Sequence, residues 1–143
     1  CPYCFEIEAS AEMASTESGK KLTLKDLVLA CERDVEGSFV LIEGAGGLYS
    51  PIAEATLNVD LAVELQLPVL VVIRDELGAI SQALLTLEAA KKNKLTVACV
   101  VLNVVDSNNL SNKEALAAYT ETPIISFSQG DLGGFCSEIE KLI

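Results

Sequence analysis

The apolar residues of this chain alternate between continuous runs and helical spacing. Residues 69–73 and 95–102 are near-continuous apolar runs, typical of strands buried on both faces of a parallel sheet. Residues 57–65 and 80–92 place apolar side chains three and four positions apart, which predicts helices. Residues 39–42 predict one further strand. Strands that alternate with helices predict an α/β fold built from parallel βαβ units with right-handed crossovers.

Shorter segments complete this alternation. Ser111, with Glu114 three residues later, is typical of a capping box at a helix start. Asn58 or Thr56 is positioned to cap the helix over residues 57–65. Together the segments predict a single domain over residues 1–143, with a three-layer, doubly wound and mostly parallel sheet. Of the remaining segments, residues 6–21 predict a loop or irregular helix, and residues 23–32 predict a helix. Residues 111–119 predict the capped helix, residues 123–127 a strand, and residues 133–143 a terminal helix.

The composition narrows the class of protein. Half of the 143 residues are hydrophobic, so the chain can bury a substantial core. The net charge of −11 argues against nucleic acid as a partner, because phosphate binding needs clustered Lys and Arg. The simplest role of the acidity is solubility, but an acidic protein that handles ATP needs a cation such as Mg²⁺. No apolar run reaches the roughly 20 residues of a membrane span, and no secretory signal is present. We therefore expect a cytoplasmic protein that does not enter a membrane.

The cysteines indicate free thiols rather than a metal site. The chain has five Cys and no His. Cys1 and Cys4 form a Cys-x-x-Cys pair, but a zinc site would need a second pair of ligands. Cys99 lies in an apolar run and is expected in the core. The first residue is Cys rather than Met, which we interpret as a segment that begins inside a longer protein.

Functional residues are expected just after the strands, because parallel sheets bind ligands at the carboxyl ends of their strands. Glu43 follows the strand predicted over residues 39–42 and is followed by Gly-Ala-Gly-Gly. Three glycines in four residues let the backbone turn sharply and approach a ligand closely. The alternative is a tight turn beside a solvated Glu. The spacing does not match the Gly-x-Gly-x-x-Gly dinucleotide motif.

Two further strand ends carry candidate groups. Residues 74–81 predict a short loop that opens a helix, whose first amides can bind a carboxylate or phosphate; an ordinary capped helix start is the alternative. Asn103 follows the strand over residues 95–102, and its amide can both donate to and accept from an adenine edge. It can equally be a turn residue.

A phosphate-binding loop is not found in these 143 residues. Such a loop reads Gly-x-x-x-x-Gly-Lys-[Ser/Thr] between a strand and a helix. The one Gly-Lys pair is Gly19-Lys20, and it is followed by Lys21 rather than by Ser or Thr. Ala14 stands where the first Gly of the motif belongs, and no strand is predicted before it.

With these strand ends in place, the chain resembles the dethiobiotin synthetase family. The resemblance runs in order from the first residues to about Phe127, and it implies a P-loop NTPase-like fold of which this chain is the carboxyl-terminal portion. The P-loop would then lie in an amino-terminal part that precedes Cys1. The matching features are Pro2-Tyr3 with Phe5, residues 43–47 with Pro51, Leu67-Pro68-Val69, Leu77-Gly78 with Ile80, Leu84-Leu85-Thr86, and residues 95–103.

The resemblance implies an activity and its partners. The reaction is the ATP- and Mg²⁺-dependent closure of the ureido ring of dethiobiotin from 7,8-diaminopelargonic acid and CO₂, a step of biotin biosynthesis. The diamine is first carbamated, the carbamate attacks the γ-phosphate of ATP, and the second amine closes the ring with loss of phosphate. A homodimer is also implied, because in the family the partner subunit holds the carboxylate tail of the substrate.

The resemblance also implies roles for individual residues. Glu43 is the catalytic acid that ligates Mg²⁺. The other implied positions are Gly46, Gly47, Leu77, Gly78, Ala79, Ile80 and Ser81 for the substrate, and Asn103, Phe127 and Ser128 for the nucleotide.

Four positions depart from the family pattern. Ser81 and Gln82 stand where the family usually has Asn and often His. Ser126 replaces a Pro before the aromatic that flanks the base, and Ser10-Ala11 replaces a Ser-Pro pair near the substrate. Two alternatives also stay open. One is a non-catalytic or fragmentary P-loop-like module, and the other is an amidoligase of the cobyrinic acid synthase type.

Overall fold

A computed structural model describes residues 2–32, 40–106 and 109–142. The chain divides into two compact units, one ending at Gln66 and the other beginning at Leu67.

The first unit begins with two short helices, each with a side-chain cap. Helix α1 spans Ala11–Glu17, and the Ser10 hydroxyl accepts a hydrogen bond from the Met13 amide. Helix α2 spans Leu24–Cys31. The Thr23 hydroxyl accepts from the Asp26 amide, while the Asp26 carboxylate accepts from the Thr23 amide at 2.9 Å. This reciprocal capping box fixes the start of α2.

A small antiparallel hairpin and a helix complete this unit. Strands β1 (Pro51–Ala53) and β2 (Thr56–Leu57) pair with each other, and helix α3 spans Asn58–Leu65. The Asp60 carboxylate accepts from the Leu57 amide at 2.8 Å at the start of α3. The helix agrees with the predicted 57–65 segment, but neither Asn58 nor Thr56 is its cap. The hairpin was not predicted, because strands of two and three residues leave no periodic pattern.

The strand predicted over residues 39–42 is wrong for the part that the structure describes. Phe39 lies outside the described residues, and residues 40–42 are not in a strand. Val40 and Leu41 are 47% and 70% exposed. A strand needs a neighbour with which to form a hydrogen-bonded ladder, and no described segment pairs with these residues.

The second unit is a three-stranded parallel sheet with helices on both faces. The strand order is β3-β4-β5, and both pairings are parallel. In chain order the elements are β3 (Val69–Arg74), α4 (Ala79–Lys92), β4 (Val97–Val104), α5 (Asn112–Ala117), β5 (Ile124–Ser128) and α6 (Leu132–Ile139).

Each face of this sheet has its own core, which gives the three predicted layers. Ala83 of α4 and Leu116 of α5 pack on one face around Val100 and Leu102. Phe135 and Ile139 of α6 pack on the other face. The buried residues of the second core are Cys99, Val101 and Ile125. The prediction that Cys99 belongs to the core is confirmed, since it is fully buried.

Three predictions of local structure need correction. Strand β3 is not buried on both faces: Val72 is 61% exposed, because β3 lies at the edge of the sheet that the described residues form and α6 packs against β5. Strand β4 begins two residues later than predicted, after a turn in which Lys94 has φ 59°. Ser111 precedes α5, but its side chain makes no capping bond, because its ψ of 51° lies outside the extended region of a capping residue.

Candidate functional site

Residues 43–50, called here the glycine loop, place an available carboxylate beside a sharply turning backbone. Glu43 is exposed, and its carboxylate makes no hydrogen bond or ion pair with the residues that the structure describes. It is therefore not engaged in holding the fold and is accessible to a ligand.

The geometry of this loop requires glycine at positions 44 and 46. Gly46 has φ 80°, a conformation that side chains of L-residues rarely adopt. A Cβ on Gly46 would lie 2.6 Å from the Ser50 Oγ, and a Cβ on Gly44 would lie 2.5 Å from the Asn58 Oδ1. The Gly47 amide donates to the Ser50 Oγ at 2.9 Å, and the Ser50 amide donates back to the Gly47 carbonyl at 2.9 Å. These bonds close the loop tightly.

The Asn58 side chain holds the glycine loop through two of its backbone carbonyls. Its side-chain amide donates two hydrogen bonds of 2.8 Å, one to the Ala45 carbonyl and one to the Gly47 carbonyl. Its backbone amide also donates to the Ser50 carbonyl at 3.1 Å. From the sequence, Asn58 is predicted only as a helix cap. A polar side chain at the first turn of an apolar helix, shortly after a glycine cluster, was the signal that could have pointed to this contact.

In the second unit, a sharp turn follows β3 and opens helix α4. Gly78 has φ 99° and precedes the first helical residue, Ala79. The Ala79 amide donates to the Glu76 carbonyl at 3.1 Å, whereas the amides of Ile80 and Ser81 donate to none of the described residues. These two amides are thus free to bind an anion. No side chain caps α4, so the alternative of an ordinary capped start is wrong.

The side chains around this turn are held by charged and amide contacts. Arg74 pairs with Glu76 at 3.2 Å and with Asp106 at 2.8 Å. The buried Asn112 donates to the Asp75 carboxylate at 2.6 Å and to the Glu76 carbonyl at 3.2 Å. These contacts fix the loop between β3 and α4.

A small pocket of about 170 Å³ lies at this turn. It holds one Arg against three carboxylates, so its net charge disfavours an anion. The Ile80 and Ser81 amides, which donate to none of the described residues, remain available to one. Leu77 is 90% exposed at the pocket edge. The residues that line the pocket are Arg74, Asp75, Glu76, Leu77, Asp106 and Leu110.

Asn103 and Phe127 lie opposite each other on adjacent strands. Arg74, Asn103 and Phe127 form one row across the carboxyl end of the sheet, since Asn103 pairs in register with both of the others. Phe127 stacks edge-on against Phe135, with ring centroids 4.9 Å apart. The side chain of Asn103 makes no hydrogen bond with the described residues, so both its donor and its acceptor are available. Ser128 ends β5, and its carbonyl accepts from the Asp131 amide at 3.0 Å.

The predicted site residues therefore divide between the two units. Glu43, Gly46 and Gly47 belong to the first unit, and the positions from Leu77 to Ser81, with Asn103, Phe127 and Ser128, belong to the second. Among the residues that the structure describes, no three His, Cys, Asp or Glu side chains are grouped so that they could hold a metal ion. No helix in the described part of the chain is long and apolar enough to cross a bilayer.

Comparison with known proteins gives consistent matches. A family model described as an AAA domain matches residues 1–127. The chain is 49% identical over all of its 143 residues to the ATP-dependent dethiobiotin synthetase BioD of Vesicomyosocius okutanii subsp. Calyptogena okutanii (strain HA), of which it covers 65%. It is 46% identical, again over its whole length, to the BioD of Ruthia magnifica subsp. Calyptogena magnifica, of which it covers 66%. It is 43% identical over 104 residues to the BioD of Bacillus thuringiensis subsp. konkukian (strain 97-27), or 72% of this chain and 43% of that protein. The chain thus spans just under two thirds of the first two relatives.

Proposed function

The chain belongs to the AAA domain family that matches residues 1–127, and from this membership we propose that the full-length protein is an ATP- and Mg²⁺-dependent ligase that forms the ureido ring of dethiobiotin. The predicted P-loop-type α/β fold and the predicted resemblance to dethiobiotin synthetases are confirmed by the matches. The substrates proposed are 7,8-diaminopelargonic acid, CO₂ and ATP. The protein is proposed to act as a cytoplasmic homodimer.

The observation that carries the proposal is the exposed, unpaired carboxylate of Glu43 at the start of a tightly held glycine loop. Mg²⁺ in nucleotide sites is bound by one or two carboxylates, by waters and by phosphates, rather than by a full cage of protein ligands. A single exposed Glu without a partner among the described residues fits that requirement. Bound Mg²⁺ would supply positive charge where the anionic carbamate meets the anionic γ-phosphate.

The backbone around Glu43 supports the same chemistry. Phosphoryl transfer is catalysed mainly by positioning and by electrostatic stabilisation. Gly46 and Gly47 carry no side chains, so a diamine or carbamate can approach the loop backbone closely. A preformed loop loses little entropy when it meets its ligand, which makes its amides effective donors.

The second unit supplies groups suited to the carboxylate of the diamine and to the adenine of ATP. The free amides of Ile80 and Ser81 suit the carboxylate tail of the diamine. The turn at Leu77, Gly78 and Ala79 presents these amides. In the proposed dimer, the tail of a diamine bound to one subunit would be held by these amides of the other subunit. The unpartnered amide of Asn103 suits the adenine edge, with Phe127 and Ser128 beside it. The exposed Leu77 is apolar surface of the kind that a dimer contact would cover.

The proposed activity depends on a phosphate-binding loop outside these 143 residues, since they hold no such motif. The test is therefore made with the full-length protein. Purified protein is incubated with diaminopelargonic acid, ATP, Mg²⁺ and bicarbonate, and the products are identified by mass spectrometry. We expect dethiobiotin and ADP in equal amounts, and neither when bicarbonate is removed.

Other outcomes would assign one of the alternatives. ATP binding without turnover of the diamine would indicate a non-catalytic module. Amide formation on a cobyrinic acid substrate with glutamine, together with no dethiobiotin, would indicate an amidoligase.

A further inference from the structure

Asn58 is a buried residue whose side chain donates two hydrogen bonds to the glycine loop, and the proposed function gives it no role. Asn58 is 9% exposed. Its side-chain nitrogen donates one hydrogen bond to the Ala45 carbonyl oxygen and one to the Gly47 carbonyl oxygen, each with a nitrogen–oxygen distance of 2.8 Å. The identity of its oxygen and nitrogen is unambiguous on chemical grounds. The reversed amide would place an oxygen against two carbonyl oxygens, which repel it.

These two bonds determine which way the loop peptides face. In a trans peptide the carbonyl and the following N–H point in opposite directions, and no peptide bond in the described chain is cis. The Ala45 and Gly47 carbonyls point at Asn58, so the amides of Gly46 and Leu48 point away from it. Neither of these amides donates to any residue in the described part of the chain. Asn58 thereby turns two free donors outward from the loop that begins at Glu43.

The side-chain oxygen of Asn58 shows that this arrangement is not favourable for every polar atom. Its Oδ1 is buried and has no hydrogen-bond partner among the described residues. A buried acceptor without a donor is unfavourable, and its position beside Gly44 leaves no room for a side chain there. A leucine has the same branching and no polar atom, so it would leave no unsatisfied acceptor, and packing alone does not explain an asparagine.

We propose that Asn58 is a positioning residue, which orients the Gly46 and Leu48 amides toward the anionic group of the substrate. The identity of that anion, a carbamate or a phosphate, rests on the proposed function. The orientation of the loop amides is independent of the proposed function. Asn58 itself does not touch the reacting atoms; it acts through the two peptides that it holds.

The test compares Asn58→Leu with Asn93→Leu in the full-length protein. Asn93 donates to the Ala89 carbonyl at 2.8 Å at the end of α4, so its substitution also removes a hydrogen bond from a side-chain amide to a carbonyl, but not one that the glycine loop receives. We expect Asn58→Leu to lower kcat for dethiobiotin formation by about tenfold or more, since misaligned donors lose transition-state stabilisation. The KM for ATP should stay within about twofold. Asn93→Leu should keep kcat within about twofold.

A second readout separates this inference from the proposed function. In ¹H–¹⁵N spectra of the wild-type protein, the Gly46 and Leu48 amide signals should shift when inorganic phosphate is added. In Asn58→Leu both signals should move from their wild-type positions and lose that response, whether or not the wild type forms dethiobiotin. Unchanged signals, or an equal loss of kcat in both variants, would overturn the inference. If Asn58→Leu does not fold, Asn58→Asp keeps the volume and replaces the donor by an acceptor, with the same expected results.

Discussion

Substitution of Gly46 by Ala tests whether the glycine loop has the conformation described. Gly46 has φ 80°, and an added Cβ would lie 2.6 Å from the Ser50 Oγ. The substitution therefore strains the backbone and also displaces Ser50. That displacement breaks the 2.9 Å hydrogen bond from the Gly47 amide to Ser50.

The expected magnitude is the sum of two separate effects. Placing an L-residue in the left-handed region costs about 1–2 kcal/mol, and losing a hydrogen bond of this kind costs about 0.5–1.5 kcal/mol. Gly46→Ala should thus lower the free energy of unfolding by about 1.5–3.5 kcal/mol.

Two other glycines in the first unit separate these effects. A Cβ on Gly47 meets nothing closer than 3.9 Å, and the residue has no positive φ. Gly47→Ala should change the stability by no more than about 0.5 kcal/mol. Gly19 has φ 73° but open space around it, so Gly19→Ala should show the backbone effect alone, about 1–2 kcal/mol.

Urea denaturation of the full-length protein, followed by circular dichroism, measures all three variants. The expected order of stability is Gly47→Ala, then Gly19→Ala, then Gly46→Ala. If Gly46→Ala were as stable as Gly47→Ala, the turn at Gly46 and its contact with Ser50 would be refuted.

Two further predictions concern the second unit. Asn103→Ala should raise the KM for ATP more than it lowers kcat, because contacts with the base contribute mainly uniform binding; steady-state kinetics with varied ATP checks this, and a loss confined to kcat would exclude the adenine role. Burial raises the pKa of the Cys99 thiol, so alkylation at pH 8 should modify the exposed Cys4 well before Cys99. Since the raised pKa belongs to the folded state, ionisation of Cys99 should favour unfolding as the pH rises above the ordinary thiol pKa. Equal rates of modification of Cys4 and Cys99, measured by peptide mass spectrometry, would show that Cys99 is not in the core.

The second unit was predicted well because its signals are local and strong. The runs over residues 69–73 and 95–102 contain enough consecutive apolar positions to define buried strands, and the spacing over residues 80–92 defines α4. What the pattern did not indicate was which face of β3 is covered. The exposure of Val72 depends on where α6 packs, and that is a property of the tertiary structure.

The first unit shows where a sequence pattern stops being informative. An apolar run predicts a strand only if another strand lies beside it, and residues 40–42 have no such neighbour among the described residues. The β1–β2 hairpin was too short to be detected. Asn58 was missed because its partners are backbone carbonyls 11 and 13 positions earlier, and neither periodicity nor composition records such contacts.

For the candidate site, the sequence indicates which kinds of side chain and backbone are present but not how they are arranged. The glycine cluster after Glu43 indicated a close approach to a ligand, and the structure adds the positive φ at Gly46 and the bonds to Ser50 and Asn58. At the start of α4, the sequence suggested an anion site, and the structure shows which amides are free. The excess of carboxylates around Arg74 was visible in the sequence only at Asp75 and Glu76, because Asp106 comes from the next strand end.

The role of Glu43 is tested most directly by the Mg²⁺ dependence of dethiobiotin formation in the full-length protein. Glu43→Gln keeps the shape of the side chain and removes its charge, and Glu64→Gln makes the same change at another exposed carboxylate, on α3. We expect Glu43→Gln to lower turnover by about a hundredfold or more, to require more Mg²⁺ for half-maximal rate, and to unfold at the wild-type urea midpoint. Glu64→Gln should behave as the wild type. Normal turnover and an unchanged Mg²⁺ requirement in Glu43→Gln would contradict the assignment of this carboxylate to the metal.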